Sequence, residues 1–215
     1  ESVTRGCRYM MGREAEMFRK TTNSIIEVIK DHGYTEFIPS ILSSQSVFVE
    51  KAGNEILGQM YTFDDKGDRK ICLIPEVTAV CQNIYKNEWT NNRKKPVKIY
   101  YLTRCYRYER PQKGRYREFW QLGVECMGDD ATAIEMAKFL KESLESSGLE
   151  DFTINSNVKR GLGYYTEDGF EAEVSRLGSQ KQVAGGGRYD CGIGWAIGID
   201  RLMLGIYGDD IIGAK

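Results

Sequence analysis

Between Arg104 and Arg117, six basic residues (Arg104, Arg107, Arg110, Lys113, Arg115 and Arg117) stand against one acid, Glu109, a local net charge of +5. Guanidinium forks match phosphate and carboxylate oxygens in pairs, so such a cluster suits an anionic ligand. If Val97 to Tyr108 and Phe119 to Met127 are strands, alternation puts Cys105, Arg107 and Glu109 on one face of the first strand. The same alternation groups Gln121, Gly123 and Glu125 on the second. Two readings follow from that pattern: a solvated strand face with cross-strand ion pairs, or a nucleotide site held by arginines. No Walker A loop occurs, and Gly185-Gly-Gly187 does not fit G-x-G-x-x-G between a strand and a helix, so a nucleotide here must be gripped by side chains.

Other chemistries have little material. The only histidine, His32, sits in Asp31-His32-Gly33, which reads as a helix C-terminus, and this removes most Ser-His and Cys-His schemes. Six cysteines (Cys7, Cys72, Cys81, Cys105, Cys126 and Cys191) form no C-x-x-C pair, so a metal site is not indicated. They read as small buried hydrophobes in a reducing compartment.

The elements that must position the cluster are legible from periodicity. Residues 13 to 32 put Phe18, Thr21, Ile25, Val28 and Ile29 on one helical face, with Gly33 as the stop. Tyr34 to Pro39 reads as a strand, and 59 to 74 as a hairpin turning through Asp64 to Asp68. A helix is predicted from about Pro75 to Lys86 with proline in its first turn. Another is predicted over 131 to 146, capped by Asp129-Asp130, with Ile134, Ala137, Leu140 and Leu144 on its inner face and Gly148 ending it. Short strands at Phe152 to Asn155, Gly169 to Val174 and Gln182 to Ala184, a glycine-dense strand, and a helix from Asp200 complete the chain. Strands and helices do not alternate strictly, which favours an α+β fold with a largely antiparallel sheet, as one domain over 1–215.

The run Arg107-Tyr-Glu-Arg-Pro-Gln-Lys-Gly-Arg-Tyr-Arg-Glu-Phe-Trp-Gln-Leu-Gly-Val-Glu125 resembles the second signature motif of histidyl-tRNA synthetases. Further segments match in the family's order: Gly6-Cys-Arg-Tyr9, Met60-Tyr-Thr-Phe63, Pro75-Glu-Val-Thr78, Arg160-Gly-Leu-Gly-Tyr-Tyr165, Gly186-Gly-Arg-Tyr-Asp190 and Gly198-Ile-Asp-Arg201. Pro39 fits the class II dimer-interface motif. The resemblance implies a class II synthetase-like antiparallel sheet flanked by helices, a homodimer that activates histidine with ATP and Mg2+ and passes it to tRNA. Carried over by position, Arg107 would hold the α-phosphate and the substrate carboxylate, Arg160 the α-phosphate, and Arg201 the γ-phosphate. Glu76, Thr78 and Gln121 would take the α-ammonium group, and Glu125 and Tyr165 the imidazole. Tyr164 and Tyr189 would complete the pocket, with Glu109 and Arg115 on the nucleotide side. A histidine-sensing regulatory paralogue is the alternative.

Three departures from the family pattern stand out. Gly163 and Tyr9 replace acids, and Thr166 to Glu171 diverges, so the strand there is expected to be redrawn. Only Gly148 to Lys159 separate the helix from Arg160, where the family has an inserted domain, and the family's anticodon-binding domain is expected to be absent after Arg201 in this reading. In that reading tRNA is held by its acceptor end, through the 104 to 117 loop and Arg93-Lys94-Lys95.

With 30 Lys+Arg, 31 Asp+Glu, a net charge of −1, 41% hydrophobic residues and 215 residues in all, the chain is globular, and its surface as a whole is not a nucleic-acid grip. Its longest apolar runs fall well short of the about 20 residues of a membrane span. The N-terminus shows no apolar signal segment, and a cytoplasmic location is expected.

Overall fold

The computed structural model describes residues 2–128 and 131–210. Helix α1 (Arg13–Asp31) buries Phe18, Thr21, Thr22, Ile25 and Ile29 on the face its periodicity predicts, and Gly33 follows it at φ 85°. Strand β1 is only Thr35–Glu36; β2 (Leu42–Ser44) and the short helices α2 (Ser46–Val49) and α3 (Asn54–Gln59) come next. Strands β3 (Thr62–Asp64) and β4 (Lys70–Leu73) form the predicted hairpin, and β2 joins it in a small sheet ordered β2-β4-β3.

Helix α4 spans Thr78–Ile84 and continues through a π-helical turn, Tyr85–Trp89, and the short α5 (Thr90–Asn92). The predicted start at Pro75 is thus corrected. Pro75 lies outside the helix with its carbonyl accepting from Arg107, and the Glu76 carboxylate folds back onto the Ala79 N–H at 2.9 Å. Strands β5 (Val97–Tyr106) and β6 (Glu118–Met127) pair over their full length. Helix α6 (Ala133–Ser146) opens on a capping box, in which Thr132 accepts from the Glu135 N–H and Glu135 accepts from the Thr132 N–H. Asp129 and Asp130, the expected caps, lie outside the described residues. The buried stripe of α6 is Met136, Phe139, Leu140, Ser143 and Leu144, whereas Ile134 is 69% exposed, so the predicted face is rotated.

Strands β7 (Thr153–Val158), β8 (Gly169–Glu173), β9 (Gln182–Tyr189) and β10 (Gly192–Gly198) precede α7 (Ile199–Tyr207). Strand β9 does not stop at Ala184; it runs through the three glycines. The main sheet has seven strands in the order β1-β5-β6-β10-β9-β8-β7, antiparallel except for β1 against β5. The α+β, antiparallel-dominated fold is as expected.

Period two divides the labour of this sheet. Val124, Trp195, Ile193, Ile197 and Phe170 point to the helical side and join Ile25, Phe139 and Leu140 in one core. Ile99, Tyr101 and Cys105 point to the other side, where they meet Ile74, Val77, Tyr164 and Tyr189 in a second core beside the functional cleft. Among the described residues no helix is long and apolar enough to cross a membrane. Truncation of the fully buried Leu140 to alanine is expected to cost about 2–5 kcal/mol of unfolding free energy, and Thr132→Ala about 1 kcal/mol, both read from urea denaturation midpoints.

Candidate active site

One cavity of about 510 Å³ lies on the side of the main sheet away from α1 and α6. Its floor comes from strand register. Cys105 faces Phe119, Thr103 faces Gln121, Tyr101 faces Gly123 and Ile99 faces Glu125, so these pairs share one side, as the alternation predicts. Next to them, β10 contributes Gly194, Ala196 and Gly198, and β9 sets Gly187 opposite Gly194 and Gly185 opposite Ala196. That side of β9 and β10 is nearly bare backbone, and neighbouring side chains fill the room. A Cβ on Gly123 would sit 2.5 Å from Tyr101 Cζ, one on Gly194 2.7 Å from Glu125 Cδ, and one on Gly185 2.6 Å from Arg160 Cζ.

The cavity is lined by Glu76, Thr78, Gln121, Tyr164 and Tyr165 and by Arg107, Glu109, Arg115, Arg160 and Arg201. The arginines are held in two ways. Arg115 donates to Glu109 Oε2 at 2.6 Å, and Arg160 pairs with Glu171. Arg107 instead donates through Nε to the Pro75 carbonyl at 3.0 Å, with its guanidinium 5.2 Å from the Phe119 ring centroid. Arg201 donates to the Gly114 carbonyl at 3.4 Å and the Gln182 carbonyl at 2.6 Å. Carbonyl partners orient a guanidinium without cancelling its charge, and no carboxylate of the described residues forms an ion pair with Arg107 or Arg201. Burial, with Arg115 and Arg107 nearby, lowers the Arg201 pKa. The Arg107 and Arg201 guanidiniums leave positive charge on the cavity wall, where it can meet an anion.

Asp200 sets the helix that carries Arg201. It is 4% exposed, accepts from Arg8 Nε at 3.1 Å and from the Trp120 N–H at 2.7 Å, and so ties α7 to β6 and to the N-terminal segment.

Glu125 and Tyr189 do not line the cavity; they lie beneath its floor. Glu125 is fully buried and accepts from Thr78 Oγ1 at 2.6 Å, Tyr101 Oη at 3.2 Å and Tyr189 Oη at 2.6 Å. Burial pushes its pKa up to about 7, with the Glu76 charge adding to the rise and the three hydroxyl donors opposing it. Glu76, also buried, has its pKa raised by burial against the Ala79 N–H and the Tyr164 phenol, which donates at 3.0 Å. The sequence reading missed Tyr101, which period two could have found opposite Gly123. It gave no role to Glu171, which ends the divergent segment 166–171, and missed Glu173, Lys181 and Gln182 along the cavity wall, which no local motif marks.

The departures have physical accounts. Gly163 packs on the turn at 51–53, where a Cβ would lie 3.2 Å from the Lys51 carbonyl oxygen, so an acid does not fit without a shift. Tyr9 is 66% exposed. The strand expected to be redrawn near 166–171 begins at Gly169 and carries Glu171 to the cavity. Among the described residues no group of His, Cys, Asp or Glu could hold a metal ion unaided.

An acid whose pKa rises on folding favours the native state when protonated. Its contribution is full below the unfolded carboxylate range and is lost as the pH rises through about 7. Wild type is therefore expected to lose melting temperature relative to Glu125→Gln between pH 5 and pH 8; a difference independent of pH would contradict the assignment.

Residues 61–190 match the tRNA synthetase class II core domain (G, H, P, S and T). The histidine–tRNA ligase of Archaeoglobus fulgidus is 30% identical over 304 aligned positions, covering 92% of this chain and 74% of the relative. That alignment is longer than the chain, so the relative carries internal segments with no counterpart here. The Methanosarcina acetivorans histidine–tRNA ligase is 35% identical over 189 residues, 84% of this chain and 45% of the relative. Among solved structures, the apo histidyl-tRNA synthetase of S. aureus superposes with a TM-score of 0.78 at 28% identity, covering 96% of this chain and 70% of that one. A Bacillus halodurans protein described as an ATP phosphoribosyltransferase regulatory subunit/histidyl-tRNA synthetase gives 0.81 at 17% identity, covering 95% of this chain and 83% of that one, a likeness of fold alone. With a class II core matched over most of its length and ligases aligned across it, this chain belongs to the histidine–tRNA ligase family.

Proposed function

We propose that this chain activates histidine with ATP to histidyl-adenylate and transfers the histidine to tRNA. The observation that carries the reading is the set of charged groups about the cavity: Arg107 and Arg201 on its wall, hydrogen-bonded to carbonyls and to no carboxylate of the described residues, beside the buried Glu76 with its phenol partner, and Glu125 covered behind that wall.

In this reading the triphosphate lies along Arg107, Arg115 and Arg201, with Glu109 fixing Arg115 on the nucleotide side. Arg107 and Arg160 meet the α-phosphate, Arg107 also meets the substrate carboxylate, and Arg201 takes the γ-phosphate. A substrate carboxylate oxygen bonds to the α-phosphorus as the bond to the bridging oxygen breaks, and pyrophosphate leaves with the electron pair. The carboxylate is itself the nucleophile, so no general base is required, and alignment with charge neutralisation supplies the rate. Glu76, Thr78 and Gln121 receive the ammonium group. Tyr165 meets the imidazole at the cavity wall with Tyr164 beside it; Glu125, backed by Tyr189, takes its share only by exchanging one of its hydroxyl partners for the ring N–H. An apolar side chain would leave those polar groups unpaired.

Mg2+ takes one or two carboxylates when nucleotide phosphates complete its shell. Glu109 and Glu173, which line the cavity paired with Arg115 and Lys181, would be the carboxylates for such an ion, and it would neutralise charge on the polyphosphate. The basic stretches 93–95 and 104–117 offer the tRNA acceptor end an electrostatic hold. Six free thiols fit a reducing cytoplasm. An apolar surface supports a homodimer: Ile38 is 79% exposed, and Leu42 and Phe63 project from the small sheet, 52% and 45% exposed.

Histidine-dependent exchange between ATP and pyrophosphate tests activation, and Arg107→Ala is expected to lower its kcat about 10²–10³-fold. A folded protein that binds histidine but neither binds ATP nor exchanges it would support a histidine-sensing regulatory role instead. Leu42→Asp is expected to shift the sedimentation coefficient from dimer to monomer.

A further inference from the structure

Arg160 follows β7 and lays its side chain on the bare floor. Its side chain is 12% exposed and that of Glu171 17%, and Nη1 donates to Glu171 Oε1 at 2.5 Å. Below the guanidinium, a Cβ on Gly185 would lie 2.6 Å from Cζ and 2.7 Å from Nη2; a Cβ on Gly169 would lie 3.0 Å from Arg160 Cγ. The Tyr165 ring centroid is 5.6 Å from Cζ. Glu171 and Gly185 are themselves a cross-strand pair of β8 and β9, so one register delivers both the carboxylate and the slot. Because the side chain is bounded by a carboxylate, by bare backbone and by an aromatic ring, its many rotamers narrow to one before a ligand arrives.

We propose that Glu171 is a positioning residue for Arg160: with the slot over Gly169 and Gly185, it holds the guanidinium at the centre of the cavity. The inference rests on the catalytic reading of Arg160 given above. Glu171 also lines the cavity, so direct contact with substrate is the rival, and the two make different predictions.

Two measurements on the intact chain test it. In ¹⁵N spectra of arginine side chains, the Nε–H resonance absent from Arg160→Lys identifies Arg160. It is expected to stay single and slowly exchanging in Glu171→Gln, where an acceptor oxygen remains, and to broaden or average in Glu171→Ala. Gly185→Ala, which evicts the guanidinium without touching Glu171, is expected to move the same resonance. An unchanged Arg160 signal in Glu171→Ala overturns the proposal without reference to activity.

In histidine-dependent exchange, Glu171→Ala is expected to lower kcat about 10- to 100-fold with the KM for histidine unchanged, and Glu171→Gln to restore most of it. The double variant Arg160→Ala/Glu171→Ala should be no slower than Arg160→Ala alone. Additive losses overturn positioning and assign Glu171 to substrate contact. Wild-type protein that shows the spectral behaviour but no exchange would defeat the functional reading and leave the positioning role standing.

Discussion

The candidate site depends on volume that β9 and β10 leave empty. Glycine weakens a strand, because it contributes no side-chain packing and has more backbone freedom to lose. Here most of the glycines, Gly185, Gly187, Gly194 and Gly198, fall on one side of the sheet, and Gly186 on the other lies under Trp195. The other side of the same strands carries Trp195, Ile193 and Ile197, fully or almost fully buried against the helical layer. Burial of those side chains offsets what the glycines forgo. Tyr101, Glu125 and Arg160 then occupy the space that missing Cβ atoms leave, so the polar groups approach the backbone more closely than an ordinary sheet allows.

The same construction produces two electrostatic environments a few residues apart. Where Glu125 and Glu76 lie, water is excluded and the charged form is disfavoured, so every nearby hydroxyl is recruited as a donor. Where Arg107 and Arg201 lie, the partners are carbonyl dipoles that orient without neutralising. The contrast with Arg115 and Arg160, each fixed by a carboxylate, separates guanidiniums that keep their positive field from those whose field is damped. The proposed reading, a small zwitterion joined to a polyanion, draws on this contrast between hydroxyl-capped carboxylates and guanidiniums that keep their charge.

Part of this was legible in the residues. Helix α1 and the β5–β6 hairpin followed from period 3.6 and period two, because each buries one uninterrupted face. The errors fall where a neighbour overrides local pattern. Helix α4 starts at Thr78, since the Glu76 carboxylate caps the Ala79 N–H from ahead of the first turn and the Pro75 carbonyl is engaged by Arg107, some thirty residues away. Ile134 kept helical spacing yet faces solvent, because the sheet meets α6 along Met136 and Phe139. Strand β9 runs on through glycines that local propensity reads as a break, because both of its neighbours supply ladder partners.

What the sequence by itself determined is the cast and its order: an arginine-rich hairpin, paired tyrosines, a glycine strand and a closing Asp-Arg, together with the face each strand residue shares. These are properties of short-range spacing, and spacing is what a chain writes directly. Only the tertiary structure decided which of those groups a ligand can reach. Glu125 is covered because Thr78, Tyr101 and Tyr189, from three separate elements, converge on its two oxygens. Arg107 forms no ion pair among the described residues because the group it donates to is a backbone carbonyl, with the Glu76 carboxylate near enough to feel its charge. Accessibility and net field are sums over neighbours distant in sequence, and no local pattern contains that sum.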